Sequence, residues 1–65
     1  MPVVKIDLLE GRTAKQKEKL AKALLAAFEE NGIPKEWVSI IFNDLPAENW
    51  VISGEMLSEK LKREK

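Results

Sequence analysis

The sequence predicts an α/β fold (α+β in some schemes): one βαβ protomer with parallel strands, a short C-terminal extended segment and a second helix. Three observations predict it. Residues Pro2 to Leu9 alternate, with Val4, Ile6 and Leu8 turned one way and Lys5 and Asp7 the other, which is the period of a strand. Leu20, Leu24 and Phe28 recur every four residues, flanked by Ala21, Leu25 and Ala27, which is the stripe of an amphipathic helix. Trp37 to Asn43 then alternates again through Val38, Ile40 and Phe42. Strands joined by a long helical crossover are expected to lie parallel, and such crossovers are right-handed in almost every case. With no internal repeat and no linker, residues 1–65 read as a single domain.

Each element has its own local reasons. Proline is tolerated at the head of a strand, where its missing N–H lies at an end. Glu10-Gly11-Arg12 breaks the alternation, and Thr13-Ala14-Lys15-Gln16 reads as a capping box, Thr13 capping and Gln16 reaching back. The helix should run from about Ala14 to Asn31, end on a left-handed Asn31-Gly32 cap, and be kept from resuming by Pro34. Lys15, Lys19 and Lys22 form a basic row on its far side, read as a solvated face. In the second strand Ile41 interrupts the polar side, so both faces are expected to be partly covered, as at a subunit interface. After the loop Leu45 to Asn49, Trp50-Val51-Ile52 is a short extended segment. Ser53-Gly54 leads into a helix buried along Leu57 and Leu61, and the basic stretch Lys60 to Lys65 reads as a frayed tail.

Sixty-five residues bury only about 60% of the surface that their unfolded chain exposes. Small domains add disulfides, a metal or partner subunits, and a chain without Cys or His is left with the last. A homo-oligomer assembled through the sheet is therefore expected. Eleven basic and eleven acidic side chains cancel, which gives no electrostatic ground for a nucleic-acid or membrane partner. Neither a transmembrane run nor a signal-peptide core is present, so a cytoplasmic location is expected. The inventory excludes a histidine triad, a Gly-rich phosphate loop and a soft-metal ligand set, and no cofactor or metal is expected.

Without His, Cys or Tyr, the chain has one obvious candidate for a base at neutral pH, which is Pro2. Removal of Met1, usual when a small residue follows, frees a secondary amine. An α-amino group has a reference pKa of about 8, and an apolar pocket with a nearby guanidinium disfavours its charged form. A downward shift of one unit leaves such a base roughly half free at pH 7. Trp50 or Phe42 can supply the apolar wall and Arg12 the positive charge. Arg12, one of two arginines, suits bidentate binding of a carboxylate; from the residues alone it reads equally well as a surface partner of Glu10 or a helix carboxylate. Trp37 reads as packing at a subunit contact.

The opening Met-Pro-Val-Val-Lys-Ile-Asp-Leu-Leu-Glu-Gly-Arg, the capped lysine-rich helix and the late Trp50-Val51-Ile52-Ser53-Gly54-Glu55 resemble the 4-oxalocrotonate tautomerase family over nearly the whole chain. The resemblance implies a βαβ protomer assembling as a hexamer, a trimer of dimers. It also implies a keto–enol tautomerase, an isomerase acting on 2-hydroxy-dienoates or other enols of 2-oxo acids. Pro2 is then general base and acid, Arg12 binds a substrate carboxylate, and Trp50 stands where the family has an aromatic wall.

The match departs at one place. Classical members carry a second arginine in the second strand, nearest the reacting end. With one residue fewer in the turn before Trp37 that position falls on Ser39; without that gap it falls on Ile40, and Trp50 loses its match as well. Neither supplies a cation. Ser39 offers one neutral hydrogen bond, and a lost charged partner is worth about 1.5–3 kcal/mol. Weak turnover of a diacid such as 2-hydroxymuconate is expected, with better tolerance of a mono-acid enol such as phenylenolpyruvate. Lys35 of a neighbouring subunit is a candidate to fill the gap. Two alternatives stand beside this reading. One is a hydratase, dehalogenase or decarboxylase of the same superfamily, with Asp44 or Glu48 activating water; the other is a catalytically silent assembly subunit.

Overall fold

In the computed structural model, which describes Met1 to Glu64, two seven-residue strands, β1 (Val3–Leu9) and β2 (Ser39–Leu45), pair in parallel with Val3 opposite Ser39 and Leu9 opposite Leu45. The ladder is extended at both ends, by Ser39 N–H donating to the Pro2 carbonyl at 3.0 Å and Glu10 N–H donating to the Leu45 carbonyl at 2.9 Å. The crossover is α1 (Ala14–Glu30). The alternation of β1 works as the sequence predicts: Val4, Ile6 and Leu8 are half-buried while Val3, Lys5 and Asp7 are exposed. Ile40 and Phe42 join the half-buried side from β2, and Asp44, level with Leu8, is tied to Lys17 of α1. That side is the one α1 covers. On the other side Asn43 Nδ2 donates to Asp7 Oδ1 at 3.0 Å.

Both ends of α1 are built from local chemistry. Thr13 is extended at φ −76°, ψ 161°; its Oγ1 accepts from Gln16 N–H at 3.1 Å and Gln16 Oε1 accepts from Thr13 N–H at 2.8 Å. At the C-terminus Gly32, not Asn31, takes the left-handed conformation, at φ +86°. Gly32 N–H then donates to the Glu29 carbonyl and Ile33 N–H to that of Phe28, the paired bonds of a Schellman motif. Ile33 and Phe28 line one apolar cleft, which supplies the hydrophobic contact that accompanies the motif.

Two expectations need correction. Trp37 lies outside β2: Lys35–Trp37 form a 3-10 turn, since Pro34 fixes φ at −59° and Trp37 N–H closes back on its carbonyl at 3.0 Å. The C-terminal segment is also more ordered than a frayed tail through residue 64. After a 3-10 turn at Ala47–Asn49, β3 (Val51–Ile52) and β4 (Glu55–Met56) form a hairpin. Its turn residues, Ser53 at φ 51° and Gly54 at φ 81°, are both left-handed, as a type I′ turn requires. Then α2 (Leu57–Arg63) follows, and its Arg63 grips both carboxylate oxygens of Glu55, at 2.6 and 2.7 Å. Lys65 lies outside the described residues.

None of the described residues is fully buried. The surface, 5217 Å², exceeds the roughly 4,200 Å² of a compact chain of this mass. The radius of gyration is 15.2 Å, against about 11 Å for a compact globule of this length. The excess of about 1,000 Å² matches one partner's share of a standard protein interface. Val3, Trp37, Ile41 and Val51 are each about half exposed or more.

Candidate active site

The four residues singled out from sequence divide between the two ends of the sheet. Pro2 and Ser39 meet at one end. Pro2 is half-buried, and its carbonyl is pinned by Ser39 N–H, which leaves its ring and nitrogen at the head of β1. With Met1 attached that nitrogen is a peptide amide; Met1 is 91% exposed and stands clear of the fold. Ser39 is exposed and level with Val3, on the sheet face turned away from α1. The turn holding Lys35 and Trp37 ends one residue before β2, so both belong to this end as well. Lys35, however, lines a cleft against α1 with Lys22, Leu25 and Glu29.

Arg12 follows the opposite end of β1. It lines a cleft of about 390 Å³ whose apolar walls are Ile6, Leu8 and Leu20 and whose other members are Gln16 and Lys17. The surface pairing with Glu10 or a helix carboxylate is not formed: Arg12 makes no ion pair among the described residues. Trp50 follows the same end of the sheet, after β2. It is half-buried and held by its backbone, its N–H donating to the Ala47 carbonyl and its carbonyl accepting from Leu57 N–H at 2.8 Å.

Six strand steps separate Val3 from Leu9, about 20 Å at the rise of a β-strand. One protomer therefore joins Pro2 to Ser39 and does not join Pro2 to Arg12. The outer edge of β1 is unpaired among the described residues, β2 being its one neighbour in the sheet.

Lys17 and its tie to Asp44 escaped the sequence reading. A signal existed: Lys15, Lys19 and Lys22 fall on one helical row and Lys17 does not, and of these four it alone is half-buried. Asp44, an expected candidate for water activation, is committed to Lys17.

Comparison with known proteins bears on this arrangement. The family described as "Tautomerase enzyme" matches residues 2–60. A probable tautomerase of Streptococcus pneumoniae (serotype 4, strain TIGR4) is 47% identical over 57 residues, covering 86% of this chain and 95% of its own. Among solved structures, TomN, a 4-oxalocrotonate tautomerase homologue of the tomaymycin biosynthetic pathway, superimposes with a TM-score of 0.91 at 34% identity, covering 98% of this chain and all of that one. A heterohexamer 4-oxalocrotonate tautomerase from Chloroflexus aurantiacus gives 0.81 at 35% identity, over 91% and 97% of the two chains. A structure from a structural and mechanistic study of trans-3-chloroacrylic acid dehalogenase activity gives 0.73 at 32%, over 85% and 97%. With this fold, and with relatives this similar over nearly its full length, the chain belongs to the 4-oxalocrotonate tautomerase family of tautomerase enzymes.

Proposed function

We propose that the protein is a keto–enol tautomerase of small 2-oxo acids, working as a homo-oligomer whose active sites lie between subunits. The observation that carries this reading is the placement of Pro2 and Arg12 at opposite ends of a strand whose outer edge is free. Antiparallel pairing of two β1 strands about their midpoint, Ile6, sets Pro2 opposite Glu10 of the other copy and two residues from its Arg12. A hexamer built from such dimers is in keeping with the hexameric relative.

In that arrangement the chemistry follows. Pro2, freed of Met1, takes the proton of the substrate's 2-hydroxyl. The oxygen lone pair becomes the carbonyl bond while the carbon–carbon double bond shifts away. The prolinium then returns the proton to the carbon at the far end of the shifted system. Arg12 holds a carboxylate and draws charge toward it. Trp50 supplies an apolar wall, and Ser39 donates one hydrogen bond near the reacting oxygen.

Intact mass before and after brief exposure to 3-bromopyruvate at pH 7 tests the base. Loss of Met1 with one adduct mapped to Pro2, followed by enol turnover in an ultraviolet assay, is expected. A retained Met1, or a free Pro2 that neither reacts nor turns over an enol, refutes the reading in favour of a silent assembly subunit.

A further inference from the structure

The cleft that holds Arg12 contains a second cation. Gln16 has its Oε1 committed to the helix cap, but Lys17 extends along the cleft to Asp44 at the end of β2. The pair is neither buried nor free, with side chains 24% and 38% exposed. Two features make it more than a stitch between helix and sheet. Lys17 lies near the N-terminus of a helix that has no carboxylate in its first turn, where a cation opposes the helix dipole and works against helix stability. Asp44 lies on the sheet face that α1 covers, in register with Leu8 and two residues on from Phe42, where the pattern otherwise places apolar side chains. Both residues depart from what packing alone favours, and they do so beside Arg12.

We infer that Lys17 is a second carboxylate-binding cation of the Arg12 cleft, and that Asp44 is the counter-ion it exchanges for a substrate carboxylate. The inference rests on the reading of Arg12 as the carboxylate residue. A partly exposed ion pair contributes little net stability, so the exchange is cheap. An ammonium on a flexible stem has three rotatable donors and can follow a carboxylate that the planar guanidinium has already oriented. The ligand class is a dicarboxylate enol whose carboxylate remote from the reacting oxygen lies between Arg12 and Lys17. The two ends of the site then do different work. Ser39 leaves the reacting end without a cation, which depresses kcat for diacids, while Lys17 strengthens their binding and lowers KM.

The test uses the assembled, Met1-free protein as wild type, Lys17→Gln, Lys17→Arg and Asp44→Asn. Muconate, an unreactive dicarboxylate, is titrated by calorimetry, and KM and kcat are measured with 2-hydroxymuconate. Lys17→Gln is expected to weaken muconate binding and raise KM about tenfold, the effect of losing one charged hydrogen bond. Lys17→Arg should stay within about twofold, and Asp44→Asn should tighten binding about threefold by releasing the ammonium. The opposite signs carry the argument. If the pair only ties α1 to β2, Lys17→Gln and Asp44→Asn lower Tm alike and shift muconate binding in the same direction or not at all, which overturns the inference. Absence of muconate binding to the wild type overturns it too. If the wild type binds muconate but shows no turnover, the tautomerase reading fails, and the calorimetric signs still decide the role of Lys17.

Discussion

The proposed division of the site between subunits makes a quantitative prediction. Two inactive variants are needed, each defective at one end of β1. Arg12→Ala removes the guanidinium, and Pro2→Leu blocks removal of Met1 and so removes the proline amine. Within one protomer the two positions lie more than about 20 Å apart along an extended strand, while reacting groups must approach to about 3–3.5 Å. On the proposed reading, every productive site then takes Pro2 from one copy and Arg12 from another. When the two variants are unfolded, mixed in equal amounts and refolded together, half of the sites receive an intact Pro2, and half of those face an intact Arg12. The mixture should recover about a quarter of wild-type activity per site, by random assortment in a symmetric oligomer. The assay is initial rate with phenylenolpyruvate, with native mass spectrometry to confirm mixed assemblies. Each variant refolded alone should stay near background. Mixed assemblies with no recovered rate would refute the shared site.

Other predictions concern the fold. Ile41→Asp, on the sheet face away from α1 and 49% exposed in the protomer, should dissociate the assembly and abolish helical circular dichroism at low micromolar concentration; an intact oligomer by sedimentation would count against coverage of that face. Gly32→Ala, at φ +86° with open space around its Cβ, should cost about 1 kcal/mol from backbone conformation alone and lower Tm without altering kcat. Thr13→Ala removes the helix cap and should cost about 1 kcal/mol, with Thr13→Ser close to wild type in chemical denaturation. Arg63→Ala breaks a bidentate pair, but the arginine is 64% exposed, so the loss should be under about 1 kcal/mol; a larger loss would mean that the α2–hairpin unit is clamped more tightly than an exposed ion pair allows.

What sequence reasoning could reach follows from the range of the interactions. Both ends of α1 were legible because capping boxes and Gly-closed C-termini are chemistry among residues within five positions of one another. Alternation identified both strands, since one face of each lies under α1. It overran at Trp37, where the apolar pattern continues but Pro34 has already fixed a turn. The hairpin at Ser53-Gly54 was signalled by a turn dipeptide yet passed over, because two-residue strands leave no room for a period to show. At the site, Pro2 stands out by elimination, and its contact with Ser39 follows from register. The Lys17–Asp44 tie joins residues 27 positions apart, and no local pattern announces it. The separation of Pro2 from Arg12 was implicit in the length of β1, but a list of site residues does not carry distance.

A protomer in which no described residue is fully buried has a consequence for how the chain lives in a cell. On the proposed assembly, a newly synthesised copy emerges with its apolar sheet face and strand edge uncovered, and it acquires its core on meeting others. Its folding yield then scales with synthesis rate and not with sequence alone, so copies made close together on one message have an advantage over dispersed ones. Orphan copies present an uncovered strand edge and exposed Trp37, Ile41 and Val51, features that chaperones and proteases engage. Abundance of the active form should therefore rise more steeply than expression.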